Sequence, residues 1–123
     1  MNTARPLLFV VDDEEAIRGA LRVLLRGEGF DVRTFASGPE ALAALAEATP
    51  ACMLADYHMP GMDGRELIEA LRLRDASVPV ILMTGRDDPA QLPLRGHAHV
   101  VQKPFDAGLL ISKLRELVGR EMP

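Results

Sequence analysis

Five short strand-like runs alternate with helical patterns along this chain of 123 residues, and that alternation limits the fold more than any other feature. Runs of this length, bounded by turn residues, are typical of buried strands. Apolar residues at helical spacing fill the segments between them. The sequence therefore predicts a doubly wound α/β fold, a parallel sheet with helices on both faces. The strands are expected over 7–11, 31–35, 51–56, 78–84 and 97–102, and the third helix over 64–73.

The helices carry start and stop signals. Gly27 and Gly29 predict the end of the first helix, because glycine commonly follows a helix C-terminus. Ser37 and Glu40 have the spacing of a capping box, which predicts a second helix running to Glu47. Asp106 is expected to cap the last helix, whose inward face would be Leu110, Leu114, Leu117 and Val118. In the acidic run 12–15, Glu14 and Glu15 are expected to serve helix capping and dipole compensation.

Composition excludes several classes of protein. Hydrophobic residues make up 48% of the chain and charged residues 26%, which excludes a disordered chain. We expect one domain over 1–123, with its core at about 7–119. The net charge of −4 argues against direct nucleic-acid binding. Cys52, the only cysteine, lies in an apolar run and is predicted to be buried. No run approaches the roughly 18 apolar residues that span a membrane, so a cytoplasmic protein without membrane contact is expected.

Polar side chains stand at the ends of the predicted strands. Asp12 and Asp13 follow the first strand, Asp56 ends the third, Thr84 the fourth and Lys103 follows the fifth. The carboxyl ends of parallel strands share one edge of a sheet, where ligands bind. Taken alone, Asp56 already favours a site, although it could instead cap the Met-Pro-Gly turn that follows it. Its position among the other strand ends further favours a site.

The three aspartates cannot all be close together and ionised without compensation. Two like charges about 4 Å apart repel by roughly 4 kcal/mol at an effective dielectric constant near 20. Either a carboxyl takes up a proton or a cation binds. Carboxylate oxygens are suitable ligands for Mg²⁺, which keeps several water ligands and can bind a phosphate at the same time. With Lys103 and Thr84 beside it, Asp56 would have the surroundings of a nucleophile in phosphoryl transfer.

Four motifs in this order resemble the receiver domain of two-component response regulators, over Leu7 to Gly119. They are Val11-Asp12-Asp13-Glu14, Asp56-Tyr-His-Met-Pro-Gly-Met-Asp-Gly64, Met83-Thr84-Gly85 and Lys103-Pro104-Phe105. The resemblance implies a flavodoxin-like strand order of 2-1-3-4-5. It also implies that the domain catalyses its own phosphorylation and dephosphorylation without turning over an external substrate.

The same resemblance implies the roles of the site residues. Asp56 would accept a phosphoryl group from a phosphohistidine on a sensor histidine kinase or a phosphotransfer protein. The Mg²⁺ ligands would be Asp13, Asp56 and the backbone carbonyl of His58, with Asp12 holding the ion through water. Thr84 and Lys103 would contact phosphoryl oxygens, and the Lys103-Pro104 bond would be cis. His58 and Arg86 are candidate modulators of phosphorylation or access.

The chain departs from the receiver pattern on the surface that receivers commonly use for output. The segment Gly85–Gly96 is short and contains Pro89 and Pro93, so the fourth helix of the family is expected to be shortened or irregular. Val100 stands where the family places a switching Tyr or Phe. We therefore expect phosphorylation to reorder the segment rather than rotate a ring. The output partner stays open; a homodimer is one candidate. The start at Met1 and the end at Pro123 favour a single-domain regulator or a piece of a longer chain.

Three other functions compete with this interpretation. A phosphatase of the haloacid-dehalogenase type would carry Asp-x-Asp on the first strand, whereas Asp12 and Asp13 are adjacent. A flavodoxin-like binding module would carry a Ser/Thr/Gly-rich phosphate loop there. A receiver-like interaction domain with weak or no phosphorylation would not need the complete set of strand-end residues.

Overall fold

A five-stranded parallel β-sheet forms the centre of the computed structural model, which describes residues 5–74, 77–85 and 98–121. The strands are β1 (Leu7–Val11), β2 (Asp31–Phe35), β3 (Cys52–Asp56), β4 (Val80–Thr84) and β5 (Ala98–Gln102). Their order across the sheet is β2-β1-β3-β4-β5, and all neighbours are parallel. This confirms the predicted doubly wound fold and its 2-1-3-4-5 order.

Helices cover both faces of the sheet. The described helices are α1 (Glu15–Gly27), α2 (Gly38–Ala44), α3 (Gly64–Leu73) and α4 (Ala107–Glu121). Side chains of α1 and α4 share one core cluster with Leu8 and Val10 of β1. Those of α2 and α3 share the other with Phe9 and Val11. Successive residues of a strand point to opposite faces, so a strand between two helical layers is apolar throughout.

Buried strands account for the apolar runs of the sequence. Every residue of β3 and β4 is buried, including Cys52, as predicted. β4 begins at Val80 and not at the predicted Val78. Pro79 has no N–H for the sheet, although its carbonyl accepts a hydrogen bond of 2.9 Å from the N–H of Met53. The predicted start of β5 at His97 lies outside the described residues.

The end of α1 is a Schellman motif, which confirms the predicted stop. Gly29 has a φ of +99°, a conformation that glycine adopts without steric cost. Its N–H donates to the carbonyl of Arg26, and the N–H of Phe30 donates to that of Leu25. Phe30 and Leu25 are both buried in the same core cluster. The turn therefore leads directly into β2.

One helix end and one capping residue differ from the predictions. Ser37 caps α2 as expected, its hydroxyl accepting from the N–H of Glu40, but α2 ends at Ala44 rather than Glu47. The next residues tighten into three-residue turns; the N–H of Glu47, for example, donates to the carbonyl of Ala44. Glu14 is the N-cap residue of α1, yet its side chain makes no capping hydrogen bond, so the capping part of that expectation was wrong; Glu15 lies in the first turn, as expected for dipole compensation.

Two helix starts follow aspartates. Asp106 accepts a hydrogen bond of 3.0 Å from the N–H of Leu109, which confirms its predicted capping role. Asp63 and Glu66 form a complete capping box at α3, which the sequence analysis did not identify. The expected shortening of a helix within Gly85–Gly96 concerns a segment that, apart from Gly85, is outside the described residues. Among the helices described, none is long and apolar enough to cross a membrane.

Candidate functional site

The strand ends meet at the carboxyl edge of the sheet. In the register, Val11 pairs with Ala55, Asp56 with Met83 and Thr84 with Gln102. The residues that end or follow these strands are therefore brought to one place. The structure groups five of the predicted site residues there: Asp12, Asp13, Asp56, Thr84 and Lys103.

Three carboxylates form the acidic part of this site. Asp12, Asp13 and Asp56 each offer an oxygen, and these oxygens lie within 4.8 Å of one another. Asp12 is 0% exposed and Asp56 6% exposed, whereas Asp13 is exposed to solvent. Asp12 and Asp56 therefore form the buried part of the site, and Asp13 forms its solvent-exposed side.

Asp12 is held in place but keeps one oxygen available. Its Oδ1 accepts a hydrogen bond of 2.9 Å from the N–H of Glu14, while its buried Oδ2 has no hydrogen-bond partner in the part of the chain that the structure describes. Burial, above all, raises the pKa of Asp12, and the negative charges of Asp56 and Asp13 raise it further. The hydrogen bond from Glu14 and the charge of Lys103 act in the opposite direction without cancelling this effect.

Lys103 supplies the positive charge of the site. Its Nζ lies 3.4 Å from Oδ1 of Asp56 and 3.8 Å from Oδ2 of Asp12. Its backbone N–H donates to the carbonyl of Thr84 at 2.7 Å, which links the end of β4 to the residue after β5. The Lys103-Pro104 peptide bond is cis. The buried Thr84 is thereby placed beside the lysine at the same edge.

The acidic cluster fits a hard divalent cation. Among the described residues, the single positive charge of Lys103 is shared between Asp12 and Asp56 and cannot balance three carboxylates, and Oδ2 of Asp12 accepts no hydrogen bond. Oxygen ligands, some buried and some open to water, are the set that Mg²⁺ prefers. The exposed side, formed by Asp13, would leave room for water and a phosphoryl oxygen.

The turn after β3 fixes the direction in which Asp56 leaves the sheet. The N–H of Tyr57 donates to the carbonyl of Met83 at 2.9 Å, and the N–H of Gly64 donates to the carbonyl of Tyr57 at 2.8 Å. A Cβ on Gly64 would lie 3.0 Å from Cα of Tyr57 and 3.3 Å from the carbonyl oxygen of Asp56. The first residue of α3 therefore packs directly against the backbone of the site. The glycine was part of the recognised motif, but its packing role follows only from this close approach.

The remaining predicted residues are half-buried or lie outside the described residues. His58 is half-buried, and its ring meets that of Tyr57 edge-on with 5.0 Å between centroids. Val100 is half-buried on β5, opposite Leu82 in the register. Arg86 belongs to a stretch that the structure does not describe. The expected reordering of Gly85–Gly96 also concerns that stretch and stays a prediction.

Comparison with known proteins places these features in a family. The sequence profile of the response regulator receiver domain matches residues 8–115. The DNA-binding response regulator MtrA of Mycolicibacterium smegmatis is 35% identical over 123 residues, which cover 98% of this chain and 54% of MtrA. The DNA-binding transcriptional regulator NtrC of Salmonella typhimurium is 41% identical over 105 residues, covering 83% of this chain and 22% of NtrC. The chain thus spans about half the length of MtrA, and less of NtrC.

Solved structures show the same fold over nearly the whole chain. The receiver domain of the Francisella response regulator 1452 has a TM-score of 0.87 at 26% identity, covering 95% of this chain and 99% of that domain. The chemotaxis protein CheY4 of Vibrio cholerae has a TM-score of 0.84 at 28% identity, covering 93% of this chain and 99% of CheY4.

Proposed function

This chain belongs to the family of response regulator receiver domains, and we propose that Asp56 is the residue on which it accepts a phosphoryl group. The observation that supports this best is the position of Asp56. It is nearly buried at the end of the central strand β3, 3.4 Å from the ammonium group of Lys103 and within the cluster formed with Asp12 and Asp13. A carboxylate in such surroundings is oriented by its neighbours and can act as a nucleophile.

The proposed reaction transfers a phosphoryl group between a nitrogen and an oxygen. A carboxylate oxygen of Asp56 attacks the phosphorus of a phosphohistidine, the P–O bond forms, and the P–N bond breaks with its electron pair returning to the imidazole. Charge on the transferred phosphoryl oxygens is stabilised by Lys103, which already lies between Asp12 and Asp56. The hydroxyl of Thr84 is the proposed second contact to those oxygens. Positioning and charge neutralisation are the main requirements of such a transfer.

The proposed magnesium site uses the same edge of the sheet. Asp13, Asp56 and the backbone carbonyl of His58 would hold the ion directly, and Asp12 would hold it through water. When bound, Mg²⁺ neutralises charge on the carboxylates and on the incoming phosphoryl group. Two observations support this site: the three carboxylates are grouped, and the buried Oδ2 of Asp12 has no hydrogen bond with any residue that the structure describes.

The proposed partners follow from family membership. The phosphoryl donor would be a sensor histidine kinase or a phosphotransfer protein, in the cytoplasm. MtrA and NtrC are DNA-binding regulators, and this chain matches only part of each. We propose that the chain is one receiver domain with its core at about 7–119, that it does not itself bind nucleic acid, and that a protein partner or a second copy reads its phosphorylated state. Val100 and the segment Gly85–Gly96 are the proposed points at which its switching departs from the usual aromatic rotation.

Phosphorylation by a small-molecule donor tests the proposed nucleophile. Incubation with acetyl phosphate and Mg²⁺ should add one phosphoryl group to the wild type, as measured by intact mass and peptide mapping. Asp56→Asn should abolish the addition, because the amide keeps the shape and loses the nucleophile. Asp31→Asn, which removes the same charge at the exposed start of β2, is the matched control and should be labelled like the wild type. A fully labelled Asp56→Asn variant would exclude the proposed role, and turnover of a phosphomonoester would point to a phosphatase.

Thermal melting tests the proposed metal site. Millimolar Mg²⁺ should raise the melting temperature of the unphosphorylated protein, since a ligand that binds only the folded state stabilises it. Asp13→Asn should reduce this rise. A wild-type melting temperature that does not respond to Mg²⁺ would contradict the metal site. An interaction domain without phosphorylation would show neither labelling nor this response.

A further inference from the structure

Asp12 is fixed by hydrogen bonds at each of its polar groups except one carboxylate oxygen. Its N–H donates to the carbonyl of Phe35 at 3.1 Å, and its Oδ1 accepts from the N–H of Glu14 at 2.9 Å. Its own carbonyl accepts from the guanidinium group of Arg18 at 2.7 Å. Oδ2 is the remaining polar atom, and it lies beside Lys103. The backbone of Asp12 is thus held from both sides, and one of the holding groups is a side chain of α1.

The hydrogen bond from Arg18 acts on the peptide unit that joins two proposed metal ligands. The carbonyl of Asp12 and the N–H of Asp13 belong to one planar peptide group. Holding that carbonyl therefore sets the orientation of the whole plane and the starting point of the Asp13 side chain. Arg18 is in the first turn of α1, where its own N–H donates to the carbonyl of Glu14 at 3.1 Å. Its guanidinium group is partly buried, so water competes less for the carbonyl.

We propose that Arg18 is a positioning residue for Mg²⁺ binding, which it favours by fixing the Asp12–Asp13 peptide plane. This inference rests on the proposed function, because it concerns the same metal site. Groups that orient metal ligands commonly change metal affinity by about 10- to 100-fold when they are removed. Among the described residues, the guanidinium group of Arg18 bonds to the carbonyl of Asp12 and to no carboxylate oxygen. Its effect would pass through the backbone.

The charge of Arg18 would act in the opposite direction. A guanidinium group near a cation site repels the cation, so loss of the charge alone should tighten Mg²⁺ binding. Loss of the hydrogen bond should weaken it. The two roles therefore predict changes of opposite sign for one substitution. Arg22 provides the charge control, since it is exposed one turn later on α1 and has no hydrogen bond among the described residues.

The test compares Arg18→Met with Arg22→Met in titrations with MgCl₂. Tyr57 is the only tyrosine of a chain without tryptophan, and it adjoins Asp56, so its fluorescence reports on the site. Urea unfolding without metal shows first that each variant is folded. We expect Arg18→Met to weaken Mg²⁺ binding by about tenfold, as for other ligand-orienting groups, and Arg22→Met to leave it unchanged or slightly tighter. If Arg18→Met does not fold, Arg18→Gln serves, because it also lacks the charge and is too short to replace the guanidinium group.

The outcomes separate this inference from the proposed function. A weaker affinity in Arg18→Met with an unchanged or tighter affinity in Arg22→Met supports the positioning role. Equal or tighter binding by Arg18→Met, while the wild type binds Mg²⁺ normally, overturns the positioning role alone. A wild type that does not bind Mg²⁺ overturns the metal site and the positioning role together.

Discussion

Gly64→Ala should destabilise the protein and disturb its phosphorylation site. An added Cβ would lie 2.7 Å from Cδ2 of the buried Leu82, 3.0 Å from Cα of Tyr57 and 3.3 Å from the carbonyl oxygen of Asp56. The first two distances are too short for carbon atoms, and one of those atoms belongs to the backbone. Overpacking of this kind costs about 1–3 kcal/mol. Alanine recovers up to about 1 kcal/mol of helix propensity, and less at a first helical position. A net loss of about 1–2 kcal/mol is expected.

Urea unfolding and thermal melting measure this loss against a matched control. Gly19 lies within α1, and a Cβ there meets no atom within 4 Å. Gly19→Ala should therefore stabilise the protein by about 0.5–1 kcal/mol, because glycine inside a helix costs that much relative to alanine. For a domain of this size, the expected fall in melting temperature for Gly64→Ala is roughly 4–8 °C. Labelling of Asp56 by acetyl phosphate should also become slower, since the clash displaces the backbone of the phosphoacceptor.

A Gly64→Ala variant as stable as the wild type would refute this reasoning. It would mean that α3 can move away from β4 and from the turn after β3 at little cost. The opposite signs expected for Gly64→Ala and Gly19→Ala make the comparison decisive, because helix propensity alone would stabilise both variants.

Two further substitutions test the electrostatics and the capping of the site. Asp12→Asn should raise the free energy of unfolding at neutral pH without Mg²⁺, because burial of the ionised carboxylate is the main reason that its pKa is raised. In the folded state the pKa of Asp12 lies above its ordinary value of 3.8, so the contribution of Asp12 to stability should fall as the pH rises from 3.8 to that higher pKa. The advantage of Asp12→Asn should therefore shrink as the pH is lowered through this window, and an advantage independent of pH would contradict the assignment. Asp63→Ala should cost about 1 kcal/mol in urea unfolding, since it removes the cap of α3, and a neutral result would show that the capping box with Glu66 contributes nothing.

The sheet could be predicted because each strand has a local sequence signal, a short apolar run. Strands buried on both faces are apolar along their length, and β3 and β4 are apolar except at their last residues, Asp56 and Thr84, which belong to the site. The start of β4 and the end of α2 were predicted less accurately, because local features of the chain shorten both elements. Pro79 shortens β4 because it cannot donate a hydrogen bond, and three-residue turns follow α2 after Ala44. The capping box of Asp63 and Glu66 was visible in the sequence as Asp-x-x-Glu. It was missed because Asp63 stood within a turn motif.

Grouping of the site residues could be predicted from topology, whereas their environments could not. The parallel arrangement of the strands brings Asp12, Asp56 and Lys103 to one edge of the sheet, independently of the conformations of their side chains. Which oxygen of Asp12 would lack a partner depends on the path of the chain into α1. Arg18 carried no signal beyond being a charged residue on a helix. Its role depends on a carbonyl six positions earlier, which only the folded loop brings within 2.7 Å.

The surrounding fold must offset the free-energy cost of burying carboxylates that repel one another at this site. Asp12 and Asp56 stand at the ends of strands whose other residues are almost completely buried, so their charges are held where water screens them poorly. Lys103 reaches both carboxylates but is a single charge, and Oδ2 of Asp12 accepts no hydrogen bond from residues 5–74, 77–85 or 98–121. A divalent cation or a proton would relieve this repulsion, and a phosphoryl group would change it again. Because each of these alters the charge at the same strand ends, the proposed phosphorylation would act where buried carboxylates repel one another.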